Sequence, residues 1–142
     1  MGEQVSYTIA PWLSVRNSGQ AVEFYQKAFG ATEVFHLDGD DGSVVSRLSV
    51  EGAEFWISEE SPEYGNFSPQ SLGGGSVRMI LTVPDPYSFF EKVIQGGATE
   101  IFPVGEEHGW CLGRLKDPFG PPLGNWKTLI NRQWHIWIFP NK

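Results

Sequence analysis

Hydrophobic and polar positions along this chain fall into short alternating runs broken by two stretches of helical period. Residues 7–16 alternate and are rich in β-favouring types, which predicts a strand. Asn17 then stands where an N-cap belongs, with Gln20 three positions on. Ala21, Val22, Tyr25, Ala28 and Phe29 follow the helical period, and Gly30 falls where a C′ glycine ends a helix. Strands are expected over 31–37, 43–50 and 53–58, separated by the turns 38–42 and 51–52. The same order returns further on: a strand over 77–83, Asp85 as N-cap with Pro86 at N1, a helix through Ile94, and Gly96-Gly97 as its stop. Strands over 99–104, 110–116 and about 123–127 complete the series.

The recurrence is visible in the letters as well as in the pattern. GATEVF at 30–35 returns as GATEIF at 97–102, a shift of 67 residues. Leu13-Ser14-Val15 matches Leu81-Thr82-Val83, Arg47-Leu48 matches Arg114-Leu115, and Gly52 matches Gly120, all at 67 or 68. Four ordered matches at nearly constant offset indicate a duplicated unit. The expected fold is α+β: two tandem βαβββ units within one domain over 1–128. Unit one spans about 5–60, a Gly/Ser/Pro-rich linker 61–75, and unit two about 76–128. An apolar tail follows over 129–142.

Composition narrows the function classes. The sequence has 142 residues and carries 10 Lys+Arg against 17 Asp+Glu, a formal net charge of −7. That balance argues against nucleic acid, whose recognition rests on Lys and Arg neutralising phosphates. One cysteine, Cys111, excludes an internal disulfide framework and a cysteine-rich zinc site, and suits a reducing cytoplasm. No basic-then-apolar secretory signal opens the sequence, and no apolar run approaches a membrane span, so no membrane partner is expected. Six tryptophans are many for this length, and their placement is the main functional clue.

PWLSVRNSGQAVEFYQKAFGA, GWCLGRLKDPFG and the duplicated βαβββ plan resemble the vicinal-oxygen-chelate superfamily, which includes glyoxalase I, bleomycin-resistance proteins, extradiol dioxygenases and fosfomycin-resistance enzymes. The likeness is nearest to its small bacterial glyoxalase-like members and covers about residues 5–127. It implies two curved sheets that form a cup for a metal or an organic ligand. It also implies chains associated in pairs, a homodimer, with or without exchange of units.

Alternation along each strand, taken with the resemblance, sorts residues onto the two faces of the sheets. Trp12, Arg47, Glu54, Trp56, Arg78, Trp110, Arg114 and Trp126 are expected on the inner face and form the candidate ligand-binding set. Metal-using relatives take one ligand from the first and one from the fourth strand of each unit, which the resemblance places near Ala10, Trp56, Arg78 and Gly124. None of these is a metal donor, and Pro121-Pro122-Leu123-Gly124 departs from the carboxylate-bearing pattern of the relatives. No metal and no cofactor are therefore expected. Glu54 is the weak candidate for a general base, with an ion pair to Arg47 or Arg114 as its alternative. His36 and His108 read as solvated residues, and Cys111 as a buried thiol.

Converging indoles and guanidiniums suit a flat organic ligand. The leading expectation is a metal-independent protein that binds or sequesters an aromatic small molecule. The alternative is a metal-dependent lyase or dioxygenase of the same superfamily with a displaced metal site. A third reading makes the aromatic tail, with Trp134 and Trp137, a protein-docking segment. Whether any reaction is catalysed stays open at this level.

Overall fold

The computed structural model of the chain describes residues 6–74, 78–107, 110–119 and 127–132. Unit one runs β1 (Trp12–Val15), α1 (Ser18–Ala28), β2 (Thr32–Asp38), β3 (Val44–Val50) and β4 (Ala53–Glu59). A 3₁₀ turn at Pro62–Tyr64 and the short α2 (Pro69–Leu72) lie between the units. Unit two runs β5 (Arg78–Thr82), α3 (Pro86–Gln95), β6 (Thr99–Glu107), β7 (Trp110–Lys116) and β8 (Lys127–Arg132). Each unit forms one mixed sheet, in the orders β1-β4-β3-β2 and β5-β8-β7-β6. In each, the first strand pairs parallel to the fourth and the other pairs are antiparallel. This is the expected α+β duplication.

Alternating burial shows which face meets the helix. Ser46, Leu48 and Val50 of β3 are buried beneath α1, as are Leu13 and Val15 of β1 and Phe55 and Ile57 of β4. Tyr25, Ala21, Ala28 and Phe24 supply the helix side of this core. In unit two Cys111 and Leu115 of β7 are buried on the side of Phe90 and Val93 from α3. Both helices thus cover one face of their sheets, and the other face of the first sheet carries Trp12, Arg47, Glu54 and Trp56.

Contacts through the helices join the units. The Tyr25 hydroxyl donates to Asp117 Oδ2 at 2.6 Å, and Asp117 Oδ1 accepts from the Phe119 backbone N–H at 2.9 Å. Burial pushes the Asp117 carboxyl above its ordinary pKa, although both hydrogen bonds favour its charged form. Phe119 stands edge-on to Phe24, with ring centroids 5.8 Å apart. The end of α3 approaches α1 so closely that a Cβ on Gly96 would lie 2.5 Å from the Ala28 Cβ. The FY and DPFG segments that carried the resemblance therefore hold the two units together.

Three local expectations are corrected. Asn17 occupies the N-cap with left-handed φ 60° and ψ 59°, but its side chain caps nothing. The Glu59 carboxylate from β4 accepts from the backbone N–H groups of Asn17 and Ser18 and from the Ser18 hydroxyl. A tertiary carboxylate thus serves the positive end of α1. β1 begins at Trp12 instead of residue 7, because Pro11 has no N–H to continue the ladder. The fourth strand of unit two runs on over Lys127–Arg132, past the expected end at 127, while the expected positions 123–126 lie outside the described residues. Lys127-Thr-Leu-Ile-Asn alternates with β-branched residues, which suits a strand. The first residues assigned to a tail, from Leu129 to Arg132, are therefore part of the second sheet.

Candidate functional site

The face of the first sheet turned away from α1 is built by register. Trp12 lies beside Trp56, Trp56 opposite Arg47, and Arg47 opposite Phe35, so four adjacent strands each contribute one residue to a row. A bulge between Glu33 and Phe35 turns Phe35 onto this face. The Trp12 and Trp56 rings stack with centroids 5.0 Å apart and planes within 7°. Phe35 flanks Trp56 at 5.7 Å, and the Arg47 guanidinium lies 5.6 Å from the Trp56 centroid. Trp12 remains 54% exposed and Phe35 44%.

Polar contacts orient this platform. Trp12 Nε1 donates to Ser58 Oγ at 2.8 Å, which fixes the indole plane. Arg47 Nε donates to Glu54 Oε1 at 2.8 Å, and Arg47 Nη2 makes a second, shorter contact to the same oxygen. Glu54 therefore stands as the ion-pair partner of Arg47, the alternative role its sequence position allowed. Beside Trp12 opens a hollow of about 630 Å³, lined among others by Ser14, Ser58, Asp41, Glu59 and Glu63. Its size fits a small ligand.

The hollow is walled by a pinned linker. Glu60 accepts from the Ser68 backbone N–H at 2.8 Å, the Ser71 hydroxyl at 2.7 Å and Arg16 Nε at 3.0 Å. Burial raises its pKa, but these donors outweigh that and bring it to about 2.

The other candidate residues fall elsewhere. Arg114 lies 5.8 Å from the Phe102 ring on the second sheet, repeating the arginine-over-aromatic arrangement of unit one. Arg78 and Trp110 occupy the first positions of β5 and β7. Trp126, His108 and Gly124 lie outside the described residues. His36 is hydrogen-bonded to Glu33 at 2.7 Å and Asp38 at 2.8 Å, and these bonds raise its pKa. It pairs in register with Ser46, which is buried beneath α1, so it lies on the face opposite Glu54. Cys111 is buried on the helix side of β7. Phe35 and Ser58 were missed as site residues. The repeated aromatic of GATEVF and GATEIF was the signal for Phe35, but the bulge that aims it is not written in the alternation.

Comparison with known proteins places this geometry. No family model matches the sequence. An uncharacterized protein of Mycobacterium bovis is 31% identical over 125 residues, covering 84% of this chain and 82% of that protein. A solved member of the glyoxalase/bleomycin resistance protein/dioxygenase superfamily from Sphaerobacter thermophilus matches with a TM-score of 0.68 at 17% identity, covering 91% of this chain and 98% of that one. The chain belongs with this uncharacterized relative and has the fold of the glyoxalase/bleomycin resistance protein/dioxygenase superfamily. TnmS3, an antibiotic binding protein from a Streptomyces species, shares the fold with a TM-score of 0.66 at 14% identity, over 92% of this chain and 98% of its own.

The shared fold, with the resemblance to the vicinal-oxygen-chelate superfamily, raises the question of a metal. Of the positions the resemblance indicates, Ala10, Trp56 and Arg78 offer no oxygen, imidazole or thiolate donor. By register, the counterpart of Trp56 in unit two is Leu129, which lies beside Ile80 and opposite Arg114. It has no donor atom either. Among the described residues no group of three or more His, Cys, Asp and Glu could hold a metal ion. These residues do not fit the metal that the resemblance implies. What the described face can do is hold a flat ring. Among the described residues, no helix is long and apolar enough to cross a membrane.

Proposed function

We propose that this protein binds an aromatic small molecule on the inner face of its first sheet without a metal. One observation carries the reading: the Trp12–Trp56 stack, flanked by Phe35, is partly open to solvent beside a hollow large enough for a ligand. Indole faces give stacking partners at little conformational cost, because the pair is already ordered by Ser58 and Arg47. The antibiotic-binding description of TnmS3 supports a binding role on this fold.

The reading includes a homodimer. Leu37, Ile80 and Phe102 are each at least 38% exposed and leave apolar surface for a second copy.

Chelator-treated protein titrated with a panel of aromatic antibiotics and metabolites tests the binding claim through tryptophan emission. Saturable quenching by at least one compound, weakened by Trp56→Ala, is the expected result. Retention of one equivalent of metal, with metal-dependent turnover abolished by Glu54→Ala, would instead identify a lyase or dioxygenase.

A further inference from the structure

Within the aromatic row the two indoles are not equivalent. Trp56 is enclosed: Trp12 stacks on it at 5.0 Å, the Arg47 guanidinium stands 5.6 Å from its centroid, and Phe35 flanks it at 5.7 Å. Trp12 is 54% exposed, and it is the member of the row that lines the hollow of about 630 Å³. One face of its ring lies against Trp56, and its Nε1–H is donated to Ser58 Oγ at 2.8 Å. Trp12 therefore offers an incoming molecule its other π face and no side-chain hydrogen-bond donor.

The walls of the hollow carry one sign of charge. Asp41, Glu59, Glu60 and Glu63 line it, and among the described residues no Lys, Arg or His does. Glu59 and Glu60 are engaged elsewhere: the first accepts from the start of α1, and the second is paired with Arg16. Asp41 accepts from the Ser43 hydroxyl at 2.6 Å and its backbone N–H at 3.1 Å, which lower its pKa and keep it ionised. Among the described residues neither Asp41 nor Glu63 is in an ion pair. An electron-rich ring face beside two carboxylates without a counter-charge attracts a positive group and repels an anion.

We propose that the ligand of this site is an aromatic cation. Its ring lies on the open face of Trp12, with Trp56 as the layer behind, and its positive group enters the hollow towards Asp41 and Glu63. The ligand class so named rests on the aromatic-binding reading above and adds the sign of the ligand's charge and the indole face it uses. Thioflavin T, a benzothiazolium cation, and its uncharged parent 2-(4-dimethylaminophenyl)-6-methylbenzothiazole share a ring framework and separate the two claims.

Titrated into the full chain and followed by probe emission, the cation should bind about tenfold more tightly than the neutral probe at low salt, the size of a cation–π contact and an exposed ion pair together. Salt should erase most of that difference. Trp12→Ala should weaken both probes. Asp41→Asn together with Glu63→Gln should bring the affinity of the cation down to that of the neutral probe. Glu63→Gln alone, at an exposed position of the 3₁₀ turn, should remove part of the preference and decides by itself if the pair fails to fold. Equal affinities in wild type, a tighter neutral probe, or a cation preference that survives these substitutions would overturn the cationic class and leave ring binding standing. Binding of neither probe would overturn ring binding and the cationic class with it.

Discussion

At the scale of single residues, three carboxylates of unit one have distinct neighbourhoods. Glu54 balances Arg47 over an indole, Glu59 serves the start of α1, and Glu60 pins the linker. Glu60 has the clearest pH signature. Its folded pKa of about 2 lies below the ordinary 4.5, so its stabilising contribution is complete above 4.5 and disappears as pH falls towards 2. Urea midpoints measured between pH 6 and pH 2 should fall across that window, and Glu60→Gln should show a smaller drop there. Trp56 is the ring anchor, touching both Trp12 and Phe35. Trp56→Ala should weaken an aromatic ligand roughly tenfold while leaving the fold intact, as checked by circular dichroism.

At the scale of elements, the joint between the units is the sensitive place. Tyr25→Phe removes the hydroxyl that donates to buried Asp117 and should cost about 1–3 kcal/mol in chemical denaturation. Gly96→Ala drives a methyl into Ala28 and should cost about 1–3 kcal/mol. The order of elements and the duplication were legible in the sequence, because alternation, helical period and the repeated GATE motif are local signals. The extent of β8 was not, since the repeat ends near Thr128 whereas the strand runs on to Arg132. Asn17 shows a second limit: its letter is an N-cap letter, but the donors it would satisfy are taken by Glu59, forty-two residues away. The candidate site was half legible. Trp12, Arg47, Glu54 and Trp56 meet on one face, while Phe35 reaches it through a bulge that no periodicity encodes.

At the scale of the whole molecule, one fold carries two unlike inner faces. The first is aromatic, with its arginine paired to a carboxylate. The second sets Arg114 over Phe102. The apolar surface left at Leu37, Ile80 and Phe102 predicts self-association. Sedimentation should give a dimer at micromolar concentration, and Phe102→Glu together with Leu37→Glu should shift it to monomer without unfolding. A monomer in the unmutated protein would remove the dimer from this account. The central claim, ring binding at Trp12 and Trp56 without a metal, is tested most directly by one titration. Chelator-stripped wild type and Trp56→Ala are titrated with N-phenyl-1-naphthylamine, and probe emission is followed. Saturable binding in the stripped wild type, weakened roughly tenfold in the variant, is the predicted result. Binding that requires added metal, or that is indifferent to Trp56→Ala, would contradict it.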